Sequence, residues 1–291
     1  MGSMKETETG TENGTGVEMP AEIVIEGLYK SFGNNHALKG INLSIPRNAV
    51  VAIVGGSGSG KTVLLNHILG LMEPDRGRIR VTDQDKEGDP LVDLAGLGPN
   101  QLDRLHTQWG VVFQRNALFS GSVYDNIELW LREIKNMEPE AIWPIARRVL
   151  DAVGLPSDDD FLGLDTHDLS GGMAKRLAIA RALAMNPRVI FYDEPTTGLD
   201  PTSAAQIHDL IATTHFEPKE KGDDRTTVII THDKDLLYRL RPRTVMLHDG
   251  KVFFDGPLEE FERSTSAYIR PYFDTMPLLH LGITQRLDKI V

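Results

Sequence analysis

Apolar positions follow two different periods along this chain. Ala49-Val50-Val51-Ala52-Ile53-Val54, Val189-Ile190-Phe191-Tyr192 and Thr226–Thr231 are strand-length runs with little polar interruption. Such runs belong in the middle of a sheet covered on both faces. Glu22–Gly27 and Trp109–Phe113 read as further strands, and Ile41–Ile45 alternates as another. A helical period starts at Lys61, with Val63, Leu64, Leu65, Ile68 and Leu69 on its apolar side and Gly70 near its end. It returns from Val123 to Leu155 through Leu129, Ile134, Ile142, Ile145, Val149 and Val153, with Pro139 and Pro144 expected as breaks or helix starts. Ser170 reads as an N-cap for a helix running to about Met185, which Asn186-Pro187 stops. Ser203–Thr214 is a further helix. Val245–Leu247 and Val252–Phe254 flank Asp249-Gly250, a hairpin signal. The pattern predicts an α/β protein whose central sheet is mostly parallel, with antiparallel pairing near its start and end.

The polar stretches lie between these elements. Residues 1–20 are rich in Gly, Thr and Glu and are expected to form a disordered tail. Asp83–Pro90 is acidic and turn-rich, and Glu217–Arg225 has seven charged residues in nine, so both read as solvated loops. The 291 residues suffice for one large domain or two ordinary ones. Lys and Arg number 31 against 42 Asp and Glu, a net charge of −11, which disfavours non-specific nucleic-acid binding. The chain has no cysteine, which excludes a disulfide scaffold, a thiolate metal site and a cysteine nucleophile. No apolar run approaches the ~20 residues of a membrane-spanning helix. The first twenty residues lack the apolar segment of a secretory signal, and the lack of cysteine fits a cytosolic protein.

Three motifs carry chemistry. Gly55-Gly56-Ser57-Gly58-Ser59-Gly60-Lys61-Thr62 fits G-x-x-x-x-G-K-[ST] and sits between an apolar strand and a helix. Glycines let backbone N–H groups curl around an anion, and the helix start adds its dipole. Lys61 supplies a mobile charge, and the Thr62 hydroxyl is a Mg²⁺ ligand in such a loop. Second, the run Val189–Tyr192 ends in Asp193 and Glu194. Two acids at a strand tip usually form a solvated end, but a phosphate loop on the same chain turns them into candidates for metal binding and for activating water. Third, Leu169-Ser170-Gly171-Gly172-Met173 is a second glycine-rich helix start, where an ordinary capped helix is the simpler alternative.

Taken in order, these motifs resemble the ATP-binding cassette family, the ATPase subunits of ABC transporters, over residues 21–256. Gln114 in Val111-Val112-Phe113-Gln114 is similar to the Q-loop glutamine, and Leu169–Met173 to the family signature. Asp193 is similar to the Walker B aspartate, Gly198-Leu199-Asp200 to the D-loop, and His232 in Thr231-His232-Asp233 to the switch histidine. The resemblance implies a RecA-like P-loop NTPase core, an N-terminal antiparallel β subdomain, a helical subdomain at about 115–168 and a C-terminal extension at 257–291. It implies ATP and Mg²⁺ as cofactors. The ATP-binding set is Phe32, Gly55, Gly56, Ser57, Gly58, Ser59, Gly60, Lys61, Thr62, Val63 and Gln114, with Phe32 preferred to Tyr29 for stacking on adenine. Thr62, Gln114 and Asp193 would hold the metal, and Glu194, His232 and Lys61 would be catalytic. Ser170, Gly171, Gly172 and Asp200 would act in trans, in a head-to-tail homodimer bound to a separate transmembrane permease. No nucleic-acid partner is expected.

Met173 stands where the family usually has Gln. Together with Asn116–Phe119, Asp125–Ile127, Leu131–Glu133, Glu259–Phe261 and Tyr268–Phe273, it resembles the ATPases of bacterial MCE/Mla-type lipid transporters. That branch implies phospholipid transport, an MCE-type lipid-binding partner and a place on the cytoplasmic face of the inner membrane. The alternatives are another solute transporter and a transport-independent regulator of a membrane partner. A soluble ABC ATPase of DNA repair or translation fits the acidity and the single cassette poorly. Beyond the resemblance, Pro277, Leu278, Leu279, Leu281 and Ile283 suggest a tail that docks on something.

Overall fold

Two sheets and a helical layer organise the chain in this computed structural model, which describes residues 20–83, 86–216 and 224–271. The expected N-terminal tail (apart from Pro20), most of the Glu217–Arg225 loop and the docking tail from Asp274 lie outside the described residues. The first sheet is antiparallel, in the order β2-β1-β4-β5. It comprises β1 (Ala21–Phe32), β2 (Asn35–Pro46), β4 (Arg76–Thr82) and β5 (Leu91–Asp93). The second runs β10-β9-β3-β8-β7-β6. Its members are β3 (Val50–Val54), β6 (Trp109–Val112), β7 (Val189–Asp193), β8 (Thr226–Ile230), β9 (Arg243–His248) and β10 (Lys251–Pro257). All neighbours from β9 to β6 pair in parallel, and only the edge strand β10 is antiparallel. The expected α/β class is what the structure has.

The apolar runs work as two-faced strands. In β7, Val189 and Phe191 face a core shared with the first sheet, while Ile190 and Tyr192 face the helices. In β3, Val51 and Ile53 join the same inter-sheet core as Ile23, Ile25 and Ile45. The helix after β3, α1 (Lys61–Ile68), adds Leu64, Leu65 and Ile68 to it. On the other face pack α3 (Val123–Glu133), α4 (Pro139–Ala152), α5 (Asp159–Leu162), α6 (Gly171–Ala184) and α7 (Pro201–Phe216). The alanines at 178, 180, 182 and 184 keep the surface of α6 shallow enough for close contact.

Pro139 starts α4 as expected, at its first position, but Pro144 lies inside that helix and does not break it. Its missing N–H costs one helical bond, to the carbonyl of Glu140, an exposed residue of the first turn. The Asp249-Gly250 turn is a two-residue hairpin with φ of 47° and 71°. Among the strands and α-helices, β4, β5, α2 (Pro99–Thr107), α5, α8 (Lys234–Leu240) and the helix after β10 were not anticipated. After β10, α9 (Leu258–Arg263) buries Leu258 and Phe261. No helix among the described residues is long and apolar enough to cross a membrane.

Candidate functional site

The loop from β3 to α1 lies at the C-terminal edge of the parallel strands, where α/β sheets bind ligands. Its path depends on two glycines. Gly55 has φ 146°, and a Cβ there would sit 2.4 Å from the Leu247 carbonyl oxygen. Gly60, the residue before α1, has φ 102°, and a Cβ would meet the Ala37 carbonyl at 2.8 Å. Lys61 folds over this loop, its Nζ donating to the carbonyls of Gly55 at 2.7 Å and Gly56 at 3.1 Å. Burial lowers the Lys61 pKa, and the charges of Glu194 and Asp193 oppose that shift. Thus the loop and the tip of β7 share one electrostatic environment.

At that tip the chain turns sharply. Glu194 has φ 48°, in the left-handed region, and its N–H donates to the Ile230 carbonyl at 2.8 Å. This bond anchors Glu194 beside the end of β8, where Thr231-His232 begins. Nδ1 of His232 lies 2.7 Å from Oε2 of Glu194. That hydrogen bond raises the His232 pKa, against the opposing effect of burial. Burial, reinforced by the charge of Glu194, raises the Asp193 carboxyl, while Lys61 and Lys175 pull it down. Lys61, Asp193, Glu194 and His232 therefore come together.

Gln114 is exposed just after β6, and its backbone is held from beneath. Lys175 of α6 is only 2% exposed, and its Nζ donates to the carbonyls of Phe113 at 3.0 Å and Gln114 at 2.9 Å. Sequence reading passed over Lys175 as an anchor. The available signal was weak: Lys175 is one of three cations, with Arg176 and Arg181, in a helix otherwise rich in Ala, Leu and Ile. Phe32 is 48% exposed at the end of β1, on the hairpin whose other strand carries Ala37 to the Gly60 turn. Tyr29 is spent differently, since its ring and hydroxyl fill the space over Gly40.

Ser170, Gly171, Gly172 and Asp200 form a second group. The Ser170 side chain caps α6 by accepting the Met173 N–H at 3.3 Å. Asp200 caps α7, its Oδ1 accepting the N–H groups of Thr202 and Ser203, both at 3.0 Å. Hydrogen bonds from Ser203 hold the Asp200 carboxyl below its usual range. A Cβ on Gly172 would lie 2.9 Å from the Ser203 hydroxyl, so the two helix starts are packed together. Gly171 is exposed, its nearest neighbour for a Cβ being Leu199 at 3.9 Å. Residues 195–199 join this group to Glu194.

Residues 38–197 match the family described as ABC transporter. The chain is 32% identical over 274 residues to "Protein TRIGALACTOSYLDIACYLGLYCEROL 3, chloroplastic" of Arabidopsis thaliana, covering 88% of this chain and 75% of that protein. It is also 32% identical over 276 residues to "Probable ribonucleotide transport ATP-binding protein mkl" of Mycobacterium tuberculosis, covering 94% and 72%. Among solved structures it is similar to a dimeric post-hydrolysis state of the ATP-binding cassette MJ0796 bound to ADP and Pi. The TM-score is 0.68 at 30% identity, over 81% of this chain and 98% of that one.

Proposed function

Since the chain belongs to the ABC transporter family, and is thus an ATPase that binds ATP, we propose that Glu194, His232 and Lys61 are its catalytic residues and that it powers phospholipid transport. The 2.7 Å contact between Glu194 and His232, with Lys61 in the same electrostatic environment, supports the catalytic part. Phe32 stacks on adenine, and the backbone of Gly55–Gly60 with Thr62 and Val63 surrounds the phosphates. Thr62, Gln114 and Asp193 offer a hydroxyl, an amide oxygen and a carboxylate, hard oxygen donors that suit Mg²⁺ beside phosphate. Bound there, the ion would supply charge neutralisation beside the phosphates. Lys61 gathers charge developing on the γ-phosphoryl group, Glu194 takes the proton of the attacking water, and His232 holds the geometry. Ser170, Gly171, Gly172 and Asp200 complete the site of a second copy in a head-to-tail homodimer.

Members of this family work with transmembrane permeases. For this chain, a groove of about 430 Å³ beside the Gln114 loop, lined by Phe113, Trp130, Ile134 and Met185, supports a permease-facing surface. A permease bound there would hold the chain at the cytoplasmic face of the inner membrane, the location this reading implies. The lipid reading rests on the Met173 signature and on a relative named for a lipid, and its expected partner is an MCE-type protein. A second reading, another solute, is favoured by the relative named for ribonucleotide transport. Mass spectrometry of the natively extracted permease complex separates them. Bound phospholipid with an MCE-type subunit is expected. A soluble-solute binding protein without lipid would leave the ATPase standing and overturn the lipid cargo.

A further inference from the structure

One polar node joins the two groups of site residues, and neither the sequence reading nor the proposed mechanism uses it. Its centre is Asp233, the residue after His232. Oδ1 of Asp233 accepts the N–H groups of Asp235 at 3.0 Å and Leu236 at 3.3 Å, capping α8. Oδ2 receives Thr196 Oγ1 at 2.7 Å and His208 Nε2 at 2.7 Å. The backbone N–H of Asp233 donates to Thr231 Oγ1 at 2.9 Å. Both flanks of His232 are therefore fixed. Because a carboxylate only accepts, Nε2 of His208 carries the proton in this contact.

The other ends of these bonds matter more. Thr196 lies two residues after Glu194 and four before Asp200. His208 lies two turns into α7, the helix that Asp200 caps. Both are buried, at 9% and 6% exposed. A helix cap needs only the Oδ1 bonds. The two bonds to Oδ2 do something else: they tie the Asp200 turn and α7 to the histidine that touches Glu194. We propose that His208 and Thr196 are positioning residues for hydrolysis. They hold His232 against Glu194 and carry any displacement of the Asp200 turn into the hydrolytic site. This rests on the reading of Glu194 and His232 as the hydrolytic pair.

The test uses the full chain, with nucleotide binding, thermal unfolding and steady-state phosphate release followed at a protein concentration that reads slow variants. His208→Leu and Thr196→Val are each made alone and in a His232→Ala background. Either substitution alone is expected to lower kcat about tenfold with KM for ATP within about twofold, since misplacement of a catalytic group acts on the chemical step. His208→Gln, which puts an N–H donor near the position of Nε2, is expected to retain most of the activity. In the His232→Ala background, neither substitution should lower turnover further, because groups that act through one another are not additive. An equal loss in both backgrounds would overturn the proposal alone, as would a raised KM at unchanged kcat. Unchanged turnover in His232→Ala by itself would overturn the reading of the site, and the proposal with it. Thr196→Val lies on a different element from His208 and keeps the test decisive if His208→Leu fails to fold.

Discussion

The two glycine-rich helix starts, before α1 and before α6, look alike in sequence and differ in what constrains them. At the first, the chain itself requires glycine. Gly55 and Gly60 have φ of 146° and 102°, and backbone carbonyls of Leu247 and Ala37 occupy the space where a side chain would go. No side chain caps α1, and Lys61 instead covers the loop. At the second, Ser170 supplies an ordinary cap, and Gly171 has open space around it and no left-handed backbone. Nothing within the subunit demands glycine at 171. Open space of that kind is what an element completing a partner's nucleotide site would need, which is the role proposed for it. One helix start is shaped by its own fold, and the other is left open on its exposed side.

The largest effect expected is on turnover. Glu194→Gln removes the base while leaving both helix starts intact, so phosphate release should fall about 10²–10⁴-fold with ATP binding retained. Size-exclusion chromatography with ATP should show a stable dimer. Near-normal turnover would remove Glu194 from its role and leave the comparison without a hydrolytic centre.

Gly55→Ala comes next. It forces a methyl group onto the Leu247 carbonyl and a side chain into a φ of 146°. Strain and overpacking of that kind cost about 2–5 kcal/mol. Chemical denaturation should show the loss, and fluorescent-nucleotide titration should show weakened ATP binding. A stability unchanged within about 0.5 kcal/mol would mean that the first helix start is as permissive as the second.

How far these features were legible in the sequence follows from what each signal depends on. β3, β7, α1 and α6 were readable because burial on both faces, or a glycine-rich start, leaves a local mark. β4 was missed although Arg78-Ile79-Arg80-Val81 alternates, because its first three residues are exposed and leave the alternating stretch too short to weigh. α8 carried its cap, Asp233, and Leu236, Leu237 and Leu240 in plain view, but seven residues give too short a period to weigh. The pairing of Glu194 with His232 could be placed by order along the chain. The node at Asp233 could not, because His208 and Thr196 are 25 and 37 residues from their partner and mark no motif.

That node also gives a pH limb. Burial works against ionisation of Asp233, but the hydrogen bonds and charge of His208, with the bond from Thr196, outweigh it and hold the carboxyl at about 2, against 3.8 for the unperturbed group. The folded state therefore binds fewer protons than the unfolded state between those values. The stability this contributes is fully present above pH 4 and is lost as pH falls through about 2, roughly 2 kcal/mol in all. Asp233→Asn should flatten this limb in acid unfolding curves. An unchanged limb would locate the acid sensitivity elsewhere and weaken the link between the Asp200 turn and His232.

The smallest effect, and the sharpest for the comparison, is at Gly171. A methyl group there meets nothing nearer than Leu199 at 3.9 Å, and alanine suits a helix start of ordinary backbone geometry. Gly171→Ala should therefore change unfolding free energy by less than about 0.5 kcal/mol, in contrast to Gly55→Ala. Turnover should nevertheless fall, because the methyl group intrudes where the partner's nucleotide is expected to lie. The chain has no cysteine, so the geometry can be read directly by placing Cys at Ser57 in one copy and at Gly171 in another. Gly172 is the poorer reporter site, since its Cβ would press on Ser203 at 2.9 Å. Cross-links should form between subunits, and only with nucleotide present. A Gly171→Ala chain with full activity, or a cross-link confined to one chain, would mean that no partner completes the site through α6. The open space at Gly171 would then have to be explained from within the subunit, where no contact demands it.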